Sequence, residues 1–138
     1  MATFTKYTSG SEALAEGINA ATDVWKVALA LTINVADTTF TPGTTDLVTG
    51  GGYTQGGNTC TTTSSSNTAG VYKLVLASPT LWTASSAGFT FRYAVLWDST
   101  TSNPVGYWDY GTNVVMSGTN GDTFTITLDA TNGVFSVT

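Results

Sequence analysis

The residues best suited to chemistry are four aspartates near the ends of predicted strands: Asp98, Asp109, Asp122 and Asp129. Glycoside hydrolysis needs two carboxylates held close together, because one protonates the leaving group while the other acts as nucleophile or base. Aspartate is also common beside strands, where it accepts hydrogen bonds from the backbone of a turn. No compact motif joins any two of the four, so we expect turn formation and predict no catalytic residues.

Cys60 and the glycine run at residues 50–52 are the other features that could carry chemistry. A thiol nucleophile or a metal site needs histidine or further thiols, and the chain has one cysteine and no histidine. The glycine run lacks the Lys-Ser or Lys-Thr pair that follows in a phosphate-binding loop. We therefore predict no cofactor, no metal and no internal disulfide.

The charge pattern argues against two classes of partner. The chain has four Lys/Arg and nine Asp/Glu, for a net charge of −5, and its cations are widely separated. Nucleic-acid binding depends on clustered cations, so no nucleic-acid partner is expected. No apolar run is long enough for a membrane span, and the first residues lack a secretory signal pattern, which predicts synthesis in the cytosol and no membrane partner.

The elements that must position these residues are expected to be strands. Only 9% of the residues are charged, whereas 29 are threonine, and a β-branched side chain suits the outward face of a sheet. From Trp25 the apolar residues alternate with period two, which places Trp25, Val27, Leu29 and Leu31 on one buried face and Lys26 on the other.

A first hairpin is predicted around the aromatic residues of the chain's second half. It joins residues 89–98 to residues 105–111, and its register places the aromatic side chains Tyr93, Trp108 and their neighbours on one face. Arg92 and Asp109 then lie diagonally on the opposite, polar face, within reach of one another. Alternation also leaves Tyr107 alone on that polar face.

A second hairpin is predicted at the end of the sequence. It joins residues 123–129 to residues 134–138, with Leu128 opposite Phe135, so that every apolar side chain lies on one side. Seven or eight such strands with one buried face predict a single β-sandwich of jelly-roll or immunoglobulin-like type.

The segments that precede and interrupt these strands have a different character. Ser9 and Glu12 have capping-box spacing, so residues 1–22 are predicted to form an arm or short helix ahead of a sandwich domain at residues 23–138. Residues 34–58 are predicted to be a long loop with at most a short edge strand.

The aromatic and apolar residues divide into two predicted groups. Trp82 is expected to face outward, because it follows a Pro-Thr-Leu sequence outside the clear strands. The predicted structural core comprises Trp25, Phe91, Tyr93, Trp97, Trp108 and Phe124. The candidate interface residues are Phe4, Leu14, Ile18, Tyr53, Trp82 and Tyr107.

Four motifs recur together in one group of proteins. They are residues 51–58 (GGYTQGGN), 91–97 (FRYAVLW), 106–111 (GYWDYG) and the terminal Asn132-Gly133. In this combination and order the chain resembles small virion structural proteins of tailed bacteriophages, of the capsid decoration, or cement, type. The resemblance covers most of the chain and carries over no catalytic residue.

This resemblance implies a non-enzymatic capsid decoration protein that binds the assembled head and bridges major capsid subunits. It also implies a homotrimer on the capsid surface of a virion assembled in the host cytoplasm. The main alternative is a receptor- or carbohydrate-binding module at a tail tip or fibre. A secreted carbohydrate-binding module is a third reading, which the missing secretion signal disfavours.

Overall fold

The protein, described here for residues 2–138 by a computed structural model, is an all-β fold with one short helix, as its composition and alternation predict. Its elements are β1 (Phe4–Lys6), α1 (Gly10–Glu16), β2 (Trp25–Ala30), β3 (Asn58–Cys60), β4 (Thr62–Thr68), β5 (Val71–Leu76), β6 (Trp82–Thr83), β7 (Phe89–Asp98), β8 (Asn103–Met116), β9 (Thr123–Phe124) and β10 (Phe135–Val137).

The strands form three antiparallel sheets. The main sheet has the order β1-β8-β7-β2-β3, the second sheet has the order β10-β5-β4, and β6 pairs with β9. An inner cluster of buried side chains, which includes Trp25, Leu74 and Phe91, joins residues of all three sheets. Burial of this cluster holds the layers together as a sandwich.

The centre of the main sheet, at β2 and β7, is buried on both faces, whereas the sequence predicted one buried face. In β2, Trp25, Val27 and Leu29 belong to the inner cluster, while Ala28 and Ala30 are equally buried on the other side. That other side carries an outer cluster made of Tyr7, Ala28, Ala30, Phe40, Val95 and Trp97. A strand buried on both faces has apolar side chains at consecutive positions. In β2 these are the small side chains Ala28 and Ala30, which allow the outer cluster to pack closely against the strand.

The ladder between β7 and β8 departs from the predicted register. Phe91 pairs with Val114 but Tyr93 pairs with Asp109, so β8 advances five residues while β7 advances two. Gly111, at φ +79°, lies in this irregular part of β8, and such a bulge bends a strand and redirects its side chains. Phe91 therefore faces the inner cluster while Tyr93 packs against the outer cluster, and the prediction of one shared aromatic face is wrong.

The predicted C-terminal hairpin does not form. β9 pairs with β6, and β10 pairs instead with β5, with Phe135 opposite Leu74. Ile126 and Leu128 are buried, as their alternation predicts, but they lie in a stretch without strand structure. Phe135 packs against Trp25 of the main sheet and Tyr72 of the second sheet, contacts that the predicted partner strand does not offer.

Residues 2–22 pack against the sandwich through β1, Tyr7 and α1. β1 forms an edge of the main sheet, with Phe4 opposite Trp108, and Tyr7 is fully buried in the outer cluster. The predicted short helix is present as α1, although the Ser9 hydroxyl bonds to the Asp37 carbonyl instead of capping it. Removing this segment would expose the edge of β8 and the outer cluster.

The long loop between β2 and β3 is packed against the main sheet, and we call residues 31–57 the latch. Its Phe40 ring stacks on Trp97 with centroids 4.1 Å apart, and Trp97 Nε1 donates to the Gly56 carbonyl at 3.0 Å. β3 pairs with β2 only at Trp25–Val27. The latch covers the rest of that edge of β2, where Leu47 N–H donates a hydrogen bond to the Leu29 carbonyl at 2.9 Å. The loop that the sequence predicts is therefore an ordered layer of the fold.

Candidate functional site

The aspartates with catalytic potential serve mainly to build turns. Asp98 is fully buried and accepts bonds from Thr100 N–H at 2.8 Å and from the Thr101 hydroxyl at 2.5 Å. Asp122 accepts from Ser117 N–H, and Asp129 accepts from the backbone after it. These contacts agree with the expected turn role.

Asp98 has an unusual electrostatic setting for a turn residue. Its burial raises the pKa of its carboxyl group, and the nearby Asp23 carboxylate adds to that rise, while the bonds from Thr101 and Thr100 oppose it. Desolvation and a like charge both disfavour an ionised carboxylate. The pair is held in place because Val24, next to Asp23, bonds to Ser99 and Thr100 of the same turn.

Arg92 and Asp109 form the predicted ion pair. Arg92 Nε and Nη2 donate to the two Asp109 oxygens at 2.8 and 2.9 Å, and the guanidinium lies 5.1 Å from the Tyr93 ring centroid. The bonds from Arg92, and then from Gly111 N–H, lower the pKa of Asp109. Both side chains are about one-third exposed, at 36% and 35%, so solvent screens their attraction.

Cys60 is a buried residue of β3. Burial raises the pKa of its thiol to about 12, so the reactive thiolate is disfavoured. Cys60 occupies an ordinary strand position, opposite Trp25 of β2.

The predicted core residues are distributed over both faces of the main sheet. Trp25 and Phe91 are fully buried in the inner cluster, and Trp97 is 4% exposed in the outer cluster. The other three, Tyr93, Trp108 and Phe124, are half-buried. Sequence analysis missed Tyr7 and Phe40, which are fully buried in the outer cluster, because neither lies in an alternating stretch.

Two of the candidate interface residues are buried inside the fold. Tyr53 and Trp82 are each 2% exposed; the Tyr53 hydroxyl bonds to Asp46, and Trp82 packs against Phe124. Trp82 therefore faces the core, not outward, because β6 pairs with β9 over the inner cluster. Tyr107 is half-buried against Tyr7 and Tyr93, on a face that is aromatic rather than polar.

The other three candidate interface residues lie together around an apolar groove between α1 and β10, which we call the α1–β10 groove. It consists of two adjoining hollows of about 400 and 640 Å³ that share Leu14, Phe135 and Val137. Phe4 lines the first hollow and Ile18 lines the second. Val137 is 52% exposed, and Phe4, Leu14, Ile18 and Phe135 are half-buried, so apolar side chains of the groove remain in contact with solvent.

The groove lies between two sheet edges. β1 is an edge of the main sheet, and β10 is an edge of the second sheet. Sequence analysis placed Phe135 and Val137 in a C-terminal hairpin and so did not associate them with Phe4, Leu14 and Ile18. The period-two alternation of Phe135 and Val137 indicates a strand, but alternation alone does not determine which strand it pairs with.

Residues 2–138 do not have the features of two other classes of site, a metal centre and a membrane-spanning helix. This part of the chain brings together no set of three His, Cys, Asp or Glu side chains that could hold a metal ion. It also contains no helix of the length and apolar character needed to cross a membrane. No protein-family model, curated protein or solved structure matches the chain.

Proposed function

We propose that the protein is a non-enzymatic capsid decoration protein of a tailed bacteriophage, which binds the major capsid protein on assembled heads through the α1–β10 groove. The observation that carries the proposal is this apolar, partly exposed groove between two sheet edges. Exposed apolar patches of this kind are typical of protein-interaction sites. The motif resemblance supplies the identity of the partner.

The surroundings of the groove favour a protein partner. A segment of capsid protein can place apolar side chains between Leu14 and Val137 and can extend the second sheet along the outer edge of β10. Two of the four cations are already engaged, Lys6 with Ser11 and Arg92 with Asp109, which favours a protein partner over nucleic acid or anionic lipid. The turn roles of the aspartates support a function without catalysis.

We further propose that the working unit is a homotrimer. β4 is an edge of the second sheet, and its sequence TTSSSNT has no charge or proline to discourage pairing with another copy. Three grooves on one trimer would bind neighbouring capsid subunits together and raise avidity by about 10²–10⁴-fold. Light scattering should give a trimer, and a monomer at every concentration would contradict this part of the proposal.

The groove is tested by a pair of matched substitutions. Val137→Asp places a charge in the groove, whereas Val115→Asp places the same charge at an exposed valine of β8 outside it. Undecorated heads are mixed with each variant and sedimented, and the temperature at which the heads release DNA is measured. We expect Val115→Asp to bind and stabilise heads like the parent, and Val137→Asp to lose both effects.

Point substitutions are preferable to truncation because Tyr7 and β1 are built into the fold. Circular dichroism and the unfolding midpoint establish that both variants are folded. Equal head binding by the two variants would refute the role of the groove. Binding of the parent to tails, with no change in head stability, would refute the decoration function and favour the receptor-binding alternative.

A further inference from the structure

A separate cleft lies where β8 continues beyond the end of its pairing with β1. β1 pairs with β8 only from Gly106 to Trp108, so the next residues of β8 are not covered by it. Facing them is the extended stretch 125–127, which has no strand partner. The cleft between them has a volume of about 570 Å³, within the range of small-molecule sites.

The floor and walls of this cleft combine aromatic rings with hydroxyl groups. Half-buried Trp108 and Tyr110 and buried Ile126 line it. Thr125 and Thr127 are exposed on either side of Ile126 and also line the cleft. Aromatic faces accommodate the C–H surfaces of a sugar ring, and threonine hydroxyls both donate and accept hydrogen bonds.

Asp109 gives the cleft a fixed hydrogen-bond acceptor. Its two oxygens are held by the guanidinium of Arg92, and Gly111 N–H donates to Oδ1 at 2.7 Å. A carboxylate oxygen retains lone pairs after such bonds and can accept from a ligand hydroxyl. Because Arg92 compensates the charge of Asp109, the arrangement suits a neutral ligand rather than an anion.

We propose that this cleft binds a short neutral oligosaccharide, with a sugar ring against Trp108 and Tyr110 and its hydroxyls bonded to Asp109 and the two threonines. This activity is separate from head binding, because the cleft and the α1–β10 groove share no lining residue. The inference therefore does not rest on the decoration function.

The test is a titration of the labelled full chain with three neutral sugars: cellohexaose, maltohexaose and chitohexaose. Amide shifts are followed by NMR, and tryptophan fluorescence is recorded in parallel. We expect saturable shifts at residues 108–111 and 125–127 with at least one sugar at millimolar concentration. A sulfated heparin hexasaccharide is expected to give no such shifts.

Two conservative variants and one control locate the binding. Thr127→Val removes a hydroxyl but keeps the side-chain shape, and Trp108→Phe keeps a ring against Phe4. Each is expected to weaken binding by about tenfold. Thr68→Val, an exposed position on β4, should bind like the parent. Absence of saturable cleft shifts with all three sugars, shifts elsewhere, or equal affinity of the cleft variants and the control would overturn the proposal.

Discussion

Replacing Asp46 by alanine is expected to release the latch from the main sheet. The Asp46 carboxylate is 7% exposed and accepts three hydrogen bonds, from Gly43 N–H at 2.6 Å, the Tyr53 hydroxyl at 2.5 Å and Gly56 N–H at 2.5 Å. The Tyr53 hydroxyl in turn accepts from Leu29 N–H of β2. One carboxylate therefore connects the middle and the C-terminal end of the latch to a central strand.

The expected loss of unfolding free energy follows from these bonds. A hydrogen bond to a charged group contributes about 1.5–3 kcal/mol, so three set an upper bound of about 9 kcal/mol. Bonds that share one carboxylate are not independent, and we expect Asp46→Ala to cost about 3–5 kcal/mol. Tyr53→Phe leaves Leu29 N–H without its partner and should cost about 1–3 kcal/mol.

Urea unfolding followed by tryptophan fluorescence measures these changes, because Trp97 contacts the latch through Phe40 and Gly56. The double variant Asp46→Ala/Tyr53→Phe should lose less unfolding free energy than the sum of the two single losses, since the two side chains share one hydrogen bond. Asp37→Asn, in an exposed contact of the same loop with Asn34, serves as the control. If Asp46→Ala and Asp37→Asn had equal free energies of unfolding, the idea that the latch depends on the Asp46 carboxylate would be refuted.

Three further predictions concern a pH response, a thiol and a glycine. The raised pKa of Asp98 means that its protonated form favours folding; this contribution is present below its ordinary value of 3.8 and is lost as pH rises through the raised folded value. Asp98→Asn should therefore increase the melting temperature at neutral pH relative to the parent, and that gain should shrink on acidification. Cys60, which is buried, should react with a disulfide reagent in urea but not in the native protein, whereas rapid native labelling would contradict its burial. Gly106→Ala should destabilise the protein by about 1–3 kcal/mol in urea unfolding, because its new Cβ would lie 2.1 Å from the Phe4 ring, and Phe4→Ala should offset part of that loss.

The fold class could be predicted because period-two alternation records which positions are buried. Trp25, Val27 and Leu29 are buried as their alternation predicts, whereas Leu31, just past the end of β2, is 44% exposed. The spacing of Arg92 and Asp109 predicted their ion pair. These inferences depend on neighbours within one strand or hairpin. The physics that decides them is therefore local in sequence.

The errors arise where distant segments compete for the same edge. Phe135 alternates correctly with Val137, yet β10 pairs with β5 rather than with residues 123–129. The bulge of β8 changes the face of Tyr93 relative to Phe91, which strict alternation does not anticipate. Phe40 gives no periodic signal because the latch has no regular structure, so the outer cluster was not predicted.

The connectivity of the main sheet has a consequence for the order of folding. β1 pairs with β8, and β2 pairs with β7, so early segments find their partners only after most of the sequence has been synthesised. Such long-range pairing slows folding, because the chain must lose the entropy of closing a long loop before the stabilising contacts form. The α1–β10 groove combines β1 and α1 with the last strand, so it is complete only in a fully folded chain. Partially folded chains would therefore be excluded from any assembly that recognises this groove.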